Sequence, residues 1–382
     1  MTFPISAQNQ PRRCLKPERF AVPGLRKFVS SFWCTIAFGL SACQPTADIT
    51  ELAGNIQGTT YHVKVVREEP STDAKPIQAA IDETFYDIDR KLSNYRDDSE
   101  ISRFNQQKTT DWVPVSPEIV ELVGIARHVS EQSHGCYDLT IKPLFDLWGF
   151  SKDQNRVPSA EEISQALLHV GMPLVELDQD HSRLRKRDPE IQIDLSSIAQ
   201  GYTVGAIAQL LERHGIRNYL VEVGGEMKVK GHKPDGSPWR VAIEKPTPYT
   251  REVQKILDIH QEAGTAIMTA GTYRHFFEDH GQVYSHILDA RTGRPVTHHL
   301  LSVTILHDDP TWADAWDTAL LCVGEAEAAR IAEAERLKVL LVYAQGESLQ
   351  EYLSSAFTTA QETDSTAARD TAAQSTALPE SQ

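Results

Sequence analysis

The sequence predicts an α+β domain, because its helical segments and strands do not alternate regularly along the chain. Three helix-like segments follow the first strand-like one, and strand-like segments then succeed one another between residues 218 and 306. With 382 residues, 40% of them hydrophobic, the chain has an ordinary globular composition. This is enough for one large domain, or for two lobes that share a core.

The first half of the predicted domain combines one strand with three helices. Residues 59–66 alternate in the manner of a half-buried strand. Apolar residues then recur at helical spacing from Pro76 to residue 91. The next helix has Ser116 as its N-cap, and a third begins at Ser159, where Glu162 completes a capping box.

The second half is richer in strands. Residues 191–195 alternate as a strand, and Ser196 to His214 predict a helix that Gly215 stops. Further strands are predicted at 218–223, 239–244, 254–260, 283–288 and 301–306.

The chain is expected to close with a helical region and one more strand. The helical pattern runs from Trp312 to about Leu337 with an interruption at Gly324, and a buried strand follows at Lys338–Ala344. Residues 346–382 are rich in Ala, Thr, Ser and Gln, so this stretch is interpreted as a disordered tail.

The N-terminal segment resembles a bacterial lipoprotein signal. Arg26-Lys27 precede an apolar run, Phe28–Leu40, which has the length of a signal-peptide core and ends in Leu40-Ser41-Ala42-Cys43. Residues 1–42 are therefore interpreted as a signal peptide and Cys43 as the lipidated residue. A plain secretory signal, or an anchor helix with an incidental Cys, remains the alternative. Residues 43–56 are expected to be a tether and residues 57–345 the folded domain.

Charge and cysteine content limit the possible functions. The formal charge is −15; without residues 1–42, 32 basic and 52 acidic side chains remain, which gives −20. A polyanion of this sign is not expected to bind nucleic acid unspecifically. After signal removal, Cys136 and Cys322 are the two cysteines besides Cys43, and two cysteines make no disulfide framework.

A group of hard oxygen ligands indicates a metal site. Asp314, Asp317 and Thr318 are spaced i, i+3 and i+4, which places them on one helical face in the manner that Mg²⁺ or Ca²⁺ requires. The alternative is that the two acids complement the helix dipole and that Thr318 packs.

Three other stretches have a functional and a structural interpretation. Asp194–Gly201 ends a predicted strand and opens a helix, where free N–H groups meet anions or polar rings, although capping explains Ser196 equally well. Val223–Glu226 allows close approach of a flat ligand or forms a bulge. The aromatic stretch Gly135–Phe150 lines a ring-binding pocket or fills the core.

The stretch Ser285–Pro295 holds the acid/base candidate. It predicts a strand that runs into a tight turn at Thr292-Gly293-Arg294-Pro295. His286 can accept a proton near neutral pH, and Asp289 and Arg291 lie close in sequence. The lone histidines His62, His298, His299 and His307 are assigned no role.

These segments together resemble the ApbE family, the FAD:protein FMN transferases, from about Gly54 to Ala344. The resemblance is carried by motifs in family order: Gly58–Tyr61, Ser93–Arg96, Ser102–Asn105, Tyr137-Asp138, Leu147–Phe150, Asp194–Tyr202, Val223–Glu226, Thr269–Arg274, His286–Pro295 and Ala313–Thr318. The resemblance implies an α+β, T-fold-like domain with mixed or antiparallel sheets and packed helices.

The resemblance also implies an activity: Mg²⁺-dependent transfer of the FMN half of FAD to a threonine hydroxyl of a flavoprotein, with release of AMP. His286 would be the base. The positions that match metal ligands are Ser197, through its carbonyl, Asp314, Asp317 and Thr318. The positions that match FAD contacts are Gln57, Tyr95, Cys136, Tyr137, Asp138, Asp194, Gln200 and Ile287.

Partners and location follow from the same resemblance. The acceptors would be subunits of the Na⁺-translocating NADH:quinone reductase or of Rnf-type complexes. The lipid at Cys43 would hold the chain on the periplasmic side of a bacterial membrane, with the inner membrane favoured. Two other functions remain open: a Mg²⁺-dependent pyrophosphatase that splits FAD into FMN and AMP, and a non-enzymatic lipoprotein that binds flavin.

Overall fold

An eight-stranded antiparallel sheet forms the centre of the fold. The structure is a computed structural model that describes residues 47–67, 74–151, 154–259 and 263–360, all within one unit, Pro45–Gln382. The strands in chain order are β1 (Asp48–Ile56), β2 (Thr59–Arg67), β3 (Val113–Pro114), β4 (Val175–Asp178), β5 (Arg183–Lys186), β6 (Tyr219–Val223), β7 (Glu226–Lys230), β8 (Trp239–Glu244), β9 (Val253–Ile259), β10 (Thr265–Gly271), β11 (Phe276–Asp279), β12 (Gln282–Ser285), β13 (Leu288–Asp289), β14 (Arg294–Pro295), β15 (Leu300–His307), β16 (Lys338–Gln345) and β17 (Ser348–Leu353).

The central sheet has the order β1-β2-β6-β7-β10-β15-β16-β17, and the remaining strands form small antiparallel sheets. The helices are α1 (Lys75–Leu92), α2 (Glu100–Gln106), α3 (Pro117–Gln132), α4 (Lys142–Trp148), α5 (Ala160–Leu167), α6 (Ala199–Arg213), α7 (Pro310–Val323) and α8 (Glu325–Ala334). The α+β prediction is confirmed.

Both faces of the central sheet are covered. On one face α6 and α7 pack side by side against β6, β7, β10 and β15, with α1 beyond α6 and α3 beyond α7. On the other face the β8–β9 hairpin buries Trp239, Val241 and Leu257 against Ile267 and Leu340. Alternation sets this division, because successive residues of a strand point to opposite faces.

The aromatic stretch after α3 mainly fills a separate small core. Trp148 and Phe150 are buried there with Leu144, Ile163 and Leu288. The Trp148 indole N–H donates to the carbonyl of Gly293, which attaches α4 to the β13–β14 turn. The structural interpretation of this stretch therefore holds for the two large aromatic side chains.

Most predicted helices and strands are confirmed, with shifts of a few residues at their ends. The Ser159–Glu162 capping box is present. Ser116 does precede α3, but its hydroxyl makes no capping hydrogen bond. Helix α7 begins at Pro310, earlier than predicted, because Asp309 caps it by accepting from the N–H groups of Thr311 and Trp312.

The predicted ends of the domain were wrong. The later part of the predicted tether is β1, which pairs with β2 along its whole length and buries Leu52. The predicted tail begins with β17, which pairs with β16, and residues 355–360 are helical, with Phe357 fully buried. In both places edge pairing and a few apolar residues order a polar sequence.

Of two predicted strands in the middle of the chain, one was wrong and the other is divided into β12 and β13. Residues 191–195 are extended but pair with no strand, because side chains take their backbone groups: Asn105 bonds both the N–H and the carbonyl of Ile193. The predicted strand 283–288 is interrupted, because the chain changes partner there. His286 N–H donates to the carbonyl of His275, and the next carbonyl, of Ile287, accepts from Val296.

The predicted signal peptide and the lipidated Cys43 lie outside the described residues. Within the part of the chain that is described, no helix has both the length and the apolar character that a membrane span requires.

Candidate active site

A cavity of about 380 Å³ lies where the start of α6, the middle of α7 and the turn between β6 and β7 meet. Most of the predicted site residues line it: Cys136, Tyr137, Asp138, Asp194, Ser197, Gln200, His286, Ile287, Asp314, Asp317 and Thr318. The other two do not. Gln57 is exposed in the β1–β2 turn, and Tyr95 is 73% exposed in the loop before α2.

The predicted metal ligands share one buried face of α7. Asp314 is 6% exposed and Asp317 1%. Oδ2 of Asp314 accepts a 2.6 Å hydrogen bond from the backbone N–H of Gly201, and Thr318 Oγ1 donates to Asp317 Oδ1 at 3.2 Å. Neither carboxylate forms an ion pair with a basic side chain within the described residues.

Burial makes the ionised form of these acids costly. It raises the pKa of Asp314 to about 7. Burial also raises the pKa of Asp317, and repulsion from Glu226 and Asp314 adds to the effect. Carboxylates that are buried together without a cationic partner favour a bound cation, and hard oxygen donors suit Mg²⁺. The residues present therefore fit the metal that the sequence predicts.

The start of α6 faces these acids. The Ser197 hydroxyl donates to the hydroxyl of Tyr137 at 3.2 Å, so this side chain is directed toward the aromatic wall. The role of the Ser197 carbonyl toward a metal stays a prediction. Gly201 permits the close approach of α6 and α7: a Cβ there would lie 2.3 Å from the carbonyl oxygen of Pro310.

Cys136-Tyr137-Asp138 form a second wall in the loop that follows α3. Asp138 is 8% exposed and accepts from the N–H groups of Thr140 and Met172, both at 2.7 Å. Burial raises the pKa of this carboxyl, and the hydrogen bonds oppose the rise. These bonds fix the position of Asp138 at the edge of the cavity.

Cys136 differs from the sequence prediction. Its Sγ forms a disulfide with Cys322 in the last turn of α7, whereas the sequence was taken to contain no disulfide framework. Because 186 residues separate the two cysteines, no local pattern indicates that they meet. The Cys136 sulfur is thus part of a bridge between two walls of the cavity.

Asp194 and Gln200 flank the turn that enters α6. The backbone N–H of Asp194 donates to the carbonyl of Leu139 at 2.7 Å, and its Oδ1 accepts from the N–H of Ser196 at 2.9 Å. These bonds hold Asp194 in place. Gln200 Nε2 donates to the carbonyl of Val223 at 3.4 Å. The predicted capping by Ser196 is wrong, because α6 begins at Ala199 and its N-cap, Ile198, makes no side-chain capping bond; Asp194 instead holds the turn and also lines the cavity.

His286 lies where the chain passes from β12 to β13. Its Nδ1 is 2.9 Å from the carbonyl oxygen of His275. A carbonyl oxygen only accepts, so Nδ1 carries the proton and Nε2 has the free lone pair. Burial, and then the nearby His275 side chain, lowers the pKa of His286 to about 4. The imidazole is therefore neutral at pH 7 and able to accept a proton.

The turn after His286 supports it. Arg291 forms two 2.8 Å hydrogen bonds with the Asp289 carboxylate, while the Asp289 carbonyl accepts from Gly293 N–H at 2.8 Å. Gly293 has φ +68°, and a Cβ there would lie 2.7 Å from a methyl carbon of Ile163. Asp289 and Arg291 thus stabilise the turn that holds the imidazole in place.

Several cavity residues were missed by the sequence interpretation. Glu226, 9% exposed, accepts from Thr269 N–H at 3.0 Å, and burial followed by repulsion from Asp314 raises its pKa. Tyr273, Arg274 and His275 form the adjoining wall. Glu226, Tyr273 and Arg274 belong to motifs that had been noted, and His275 directly follows one of them, but only the folded sheet brings these residues to the cavity.

Comparison with known proteins identifies similar sequences. A model of the ApbE family matches residues 57–341. The FAD:protein FMN transferase of Vibrio cholerae is 38% identical over 320 residues, which are 83% of this chain and 94% of that protein. The protein of the same name from Escherichia coli K12 is 35% identical over 321 residues, or 81% and 88% of the two chains.

Solved structures agree with the sequence comparison. The flavin transferase ApbE from Vibrio cholerae aligns with a TM-score of 0.74 at 37% identity, covering 82% of this chain and 99% of that one. The apo form of the Pseudomonas stutzeri flavinyl transferase ApbE aligns with a TM-score of 0.73 at 36% identity, covering 81% and 96%. The predicted family resemblance is therefore confirmed.

Proposed function

Because the chain belongs to the ApbE family, we propose that it transfers the FMN moiety of FAD to a threonine hydroxyl of a target protein and releases AMP. The chain is an enzyme of the FAD:protein FMN transferase class, since relatives of that name are 35% and 38% identical to it over most of its length. One observation carries the finer proposal: a single cavity holds both His286 and the buried Asp314–Asp317 pair.

The acids of α7 provide the metal site of this proposal. Asp314, Asp317 and Thr318 would hold Mg²⁺ together with the carbonyl of Ser197. A bound Mg²⁺ supplies neutralisation of the pyrophosphate charge and stabilises the leaving phosphate. Support comes from the donor set: two buried carboxylates with raised pKa values and a neighbouring hydroxyl.

His286 acts as the general base. Its Nε2 accepts the proton of the acceptor hydroxyl, while Nδ1–H remains bonded to the His275 carbonyl and holds the ring. The hydroxyl oxygen forms a bond to the phosphorus of the FMN half as the pyrophosphate bond to AMP breaks. The proton passes from Nε2 to solvent after AMP has left.

The remaining walls bind and orient FAD. Tyr137, Asp138 and Asp194 are held by hydrogen bonds within the protein, so they present a preformed surface to the substrate. Ile287, buried beside His286, adds an apolar contact. Gln57 and Tyr95 lie outside the cavity and would reach FAD only at its periphery.

The acceptor and the location extend the proposal. Acceptors are threonine-bearing subunits of Na⁺-translocating NADH:quinone reductase or Rnf-type complexes, and the chain is anchored through lipid on Cys43 at the periplasmic face of the inner membrane. The tetrapeptide Leu40–Cys43 supports the anchor. Cys43→Ser should move the protein from the membrane fraction to the soluble fraction; unchanged membrane association would contradict the lipid anchor.

Transfer is tested with FAD, Mg²⁺ and an acceptor fragment. The fragment should acquire covalent, fluorescent flavin, and a Thr→Ala acceptor should not. AMP release at one rate with and without acceptor would instead indicate a pyrophosphatase. FAD binding without any AMP release would indicate a binding protein.

A further inference from the structure

The Cys136–Cys322 disulfide joins two walls of the active-site cavity that come from distant parts of the chain. Cys136 immediately precedes Tyr137 and Asp138, and Cys322 lies four residues after Thr318 on α7. Both cysteines line the cavity and are almost fully buried, at 1% and 4% exposure. The bridge therefore lies inside the site and does not tie down a surface loop.

The loop has few other links to α7. Cys136 and Tyr137 bond backward to Ser133, and the Cys136 carbonyl accepts from Ala290 N–H at 3.2 Å. Within the described residues, no hydrogen bond connects the loop 136–138 to α7. The disulfide is therefore the covalent connection between the wall assigned to FAD and the helix assigned to the metal.

We infer that the Cys136–Cys322 disulfide is a positioning element, which sets the distance between the flavin-binding loop and the metal-binding face of α7. The inference rests on the proposed function, because one FAD molecule must contact Tyr137 and Asp138 while its pyrophosphate reaches the metal at Asp314 and Asp317. A site with fixed walls binds such a ligand more tightly than one whose walls must be ordered during binding.

The oxidation state of the bridge then controls the affinity for FAD. Reduction by a dithiol converts the disulfide into two thiols, and the dithiol becomes a disulfide, so two electrons and two protons pass to the protein. Re-formation of the bridge returns them to a disulfide oxidant. The protein would bind FAD weakly in a reducing compartment and tightly in an oxidising one.

FAD titrations and transfer kinetics compare three proteins. These are the full chain in its oxidised form, the same protein after dithiothreitol treatment, and the double variant Cys136→Ala/Cys322→Ala. Reduction should weaken FAD binding and raise the KM for FAD about tenfold, with kcat at saturating FAD changed less than about twofold. The double variant should have the weaker affinity before and after dithiothreitol. A zinc-selective chelator is included, because Asp289 lies within 4.8 Å of both sulfurs and freed thiols bind soft cations.

A stability control separates positioning from simple cross-linking, which acts on the unfolded chain. Phe357→Leu weakens the core cluster beneath the β8–β9 hairpin at a fully buried residue that does not itself line the cavity. It should lower the melting temperature without changing the KM for FAD. If this variant raises the KM as much as the loss of the disulfide does, the positioning role is wrong.

Three other results would overturn the inference. These are free thiols at both positions in a non-reducing peptide map, equal FAD affinity in all three proteins, or a loss of FAD affinity on dithiothreitol treatment that is as large in the double variant as in the wild type. Failure of the proposed function looks different. In that case no form transfers FMN to the acceptor, whereas the affinity comparison still reports on the bridge if FAD binds.

Discussion

The backbone N–H of Gly201 donates a 2.6 Å hydrogen bond to Oδ2 of Asp314, which joins the first turn of α6 to the buried acidic face of α7. This contact needs a residue without a side chain, because a Cβ on Gly201 would lie 2.6 Å from the Asp314 Cβ and 2.3 Å from the Pro310 carbonyl oxygen. The position of the first predicted metal ligand therefore depends on the packing of two helices.

Gly201→Ala should force α6 and α7 apart and displace Asp314. We expect a loss of ~1–3 kcal/mol in the free energy of unfolding, as for other overpacked cores, and a raised Mg²⁺ requirement. Denaturant titration and the Mg²⁺ dependence of transfer measure both effects. Gly205→Ala is the matched control, since its Cβ would meet two Pro310 ring carbons, the nearer at 3.0 Å, and no backbone atom. Equal effects of the two variants would contradict the claim that α6 and α7 approach most closely at Gly201.

Asp314→Asn should abolish Mg²⁺-dependent turnover. The amide oxygen still accepts from Gly201 N–H, so the helix contact survives, but the anionic ligand is lost and Mg²⁺ is weakly held. AMP release is measured across a Mg²⁺ titration. Asp308→Asn, an exposed acid just before α7, serves as the control and should behave as wild type. Activity of Asp314→Asn near the wild-type level would refute the metal assignment.

His286→Ala should spare FAD binding and slow transfer by ~10²–10⁴-fold, the usual scale for a lost general base. Single-turnover transfer and FAD titration separate the two effects. His275→Ala should leave the orientation of His286 unchanged, because the bond that orients His286 uses the backbone carbonyl of His275, which the substitution keeps. His299→Ala, at an exposed position, should have no effect. Loss of FAD binding in His286→Ala would mean that the imidazole is a structural contact.

The pH dependence of transfer should reflect the lowered pKa of His286. The pKa of His286 is about 4, so at a lower pH the imidazole is protonated and cannot act as a base. We expect kcat/KM to stay level from neutrality down to about pH 4 and to fall below it. The profile is measured at saturating Mg²⁺, which keeps Asp314 and Asp317 ionised. The imidazole of His275, 5.2 Å away between ring centroids, is the neighbouring titratable group. An inflection near pH 6.5 would contradict the buried, neutral state of His286.

Asn105→Ala should destabilise the segment that leads into the site. Asn105 is 5% exposed and makes 2.8 Å bonds to both the N–H and the carbonyl of Ile193, next to Asp194. Loss of this pairing leaves a buried N–H without a partner and should cost ~1–3 kcal/mol of unfolding free energy. Thermal unfolding and FAD affinity are the readouts. Asn55→Ala, at an exposed position, should change stability by less than ~0.5 kcal/mol; an equal loss would argue against the role of Asn105.

Local patterns predicted the parts of the fold and site that local interactions determine. The i, i+3, i+4 spacing of Asp314, Asp317 and Thr318 is a property of one helix, and the capping box at Ser159 is a property of one turn. These features depend on neighbouring residues only, so the sequence was sufficient to predict them.

The features that were missed depend on distant parts of the chain. Strand β1 is polar enough to resemble a tether and is ordered by pairing with β2. Residues 191–195 alternate like a strand, but their backbone bonds to side chains instead of to another strand. Asn94 in the loop before α2 and Asn105 in α2 both donate to the carbonyl of Ile193. The Cys136–Cys322 bridge and the burial of Glu226 beside Asp314 likewise exist only after the chain has folded.

The most direct test of the account is the stoichiometry of AMP release and covalent flavin attachment in one reaction. Wild-type protein, FAD, Mg²⁺ and a threonine-bearing acceptor fragment are mixed, and both products are quantified over time. The account predicts one AMP for each FMN attached, with both products strongly reduced in His286→Ala and absent in Asp314→Asn. AMP release that continues unchanged without acceptor, or flavin attachment that persists in Asp314→Asn, would contradict it.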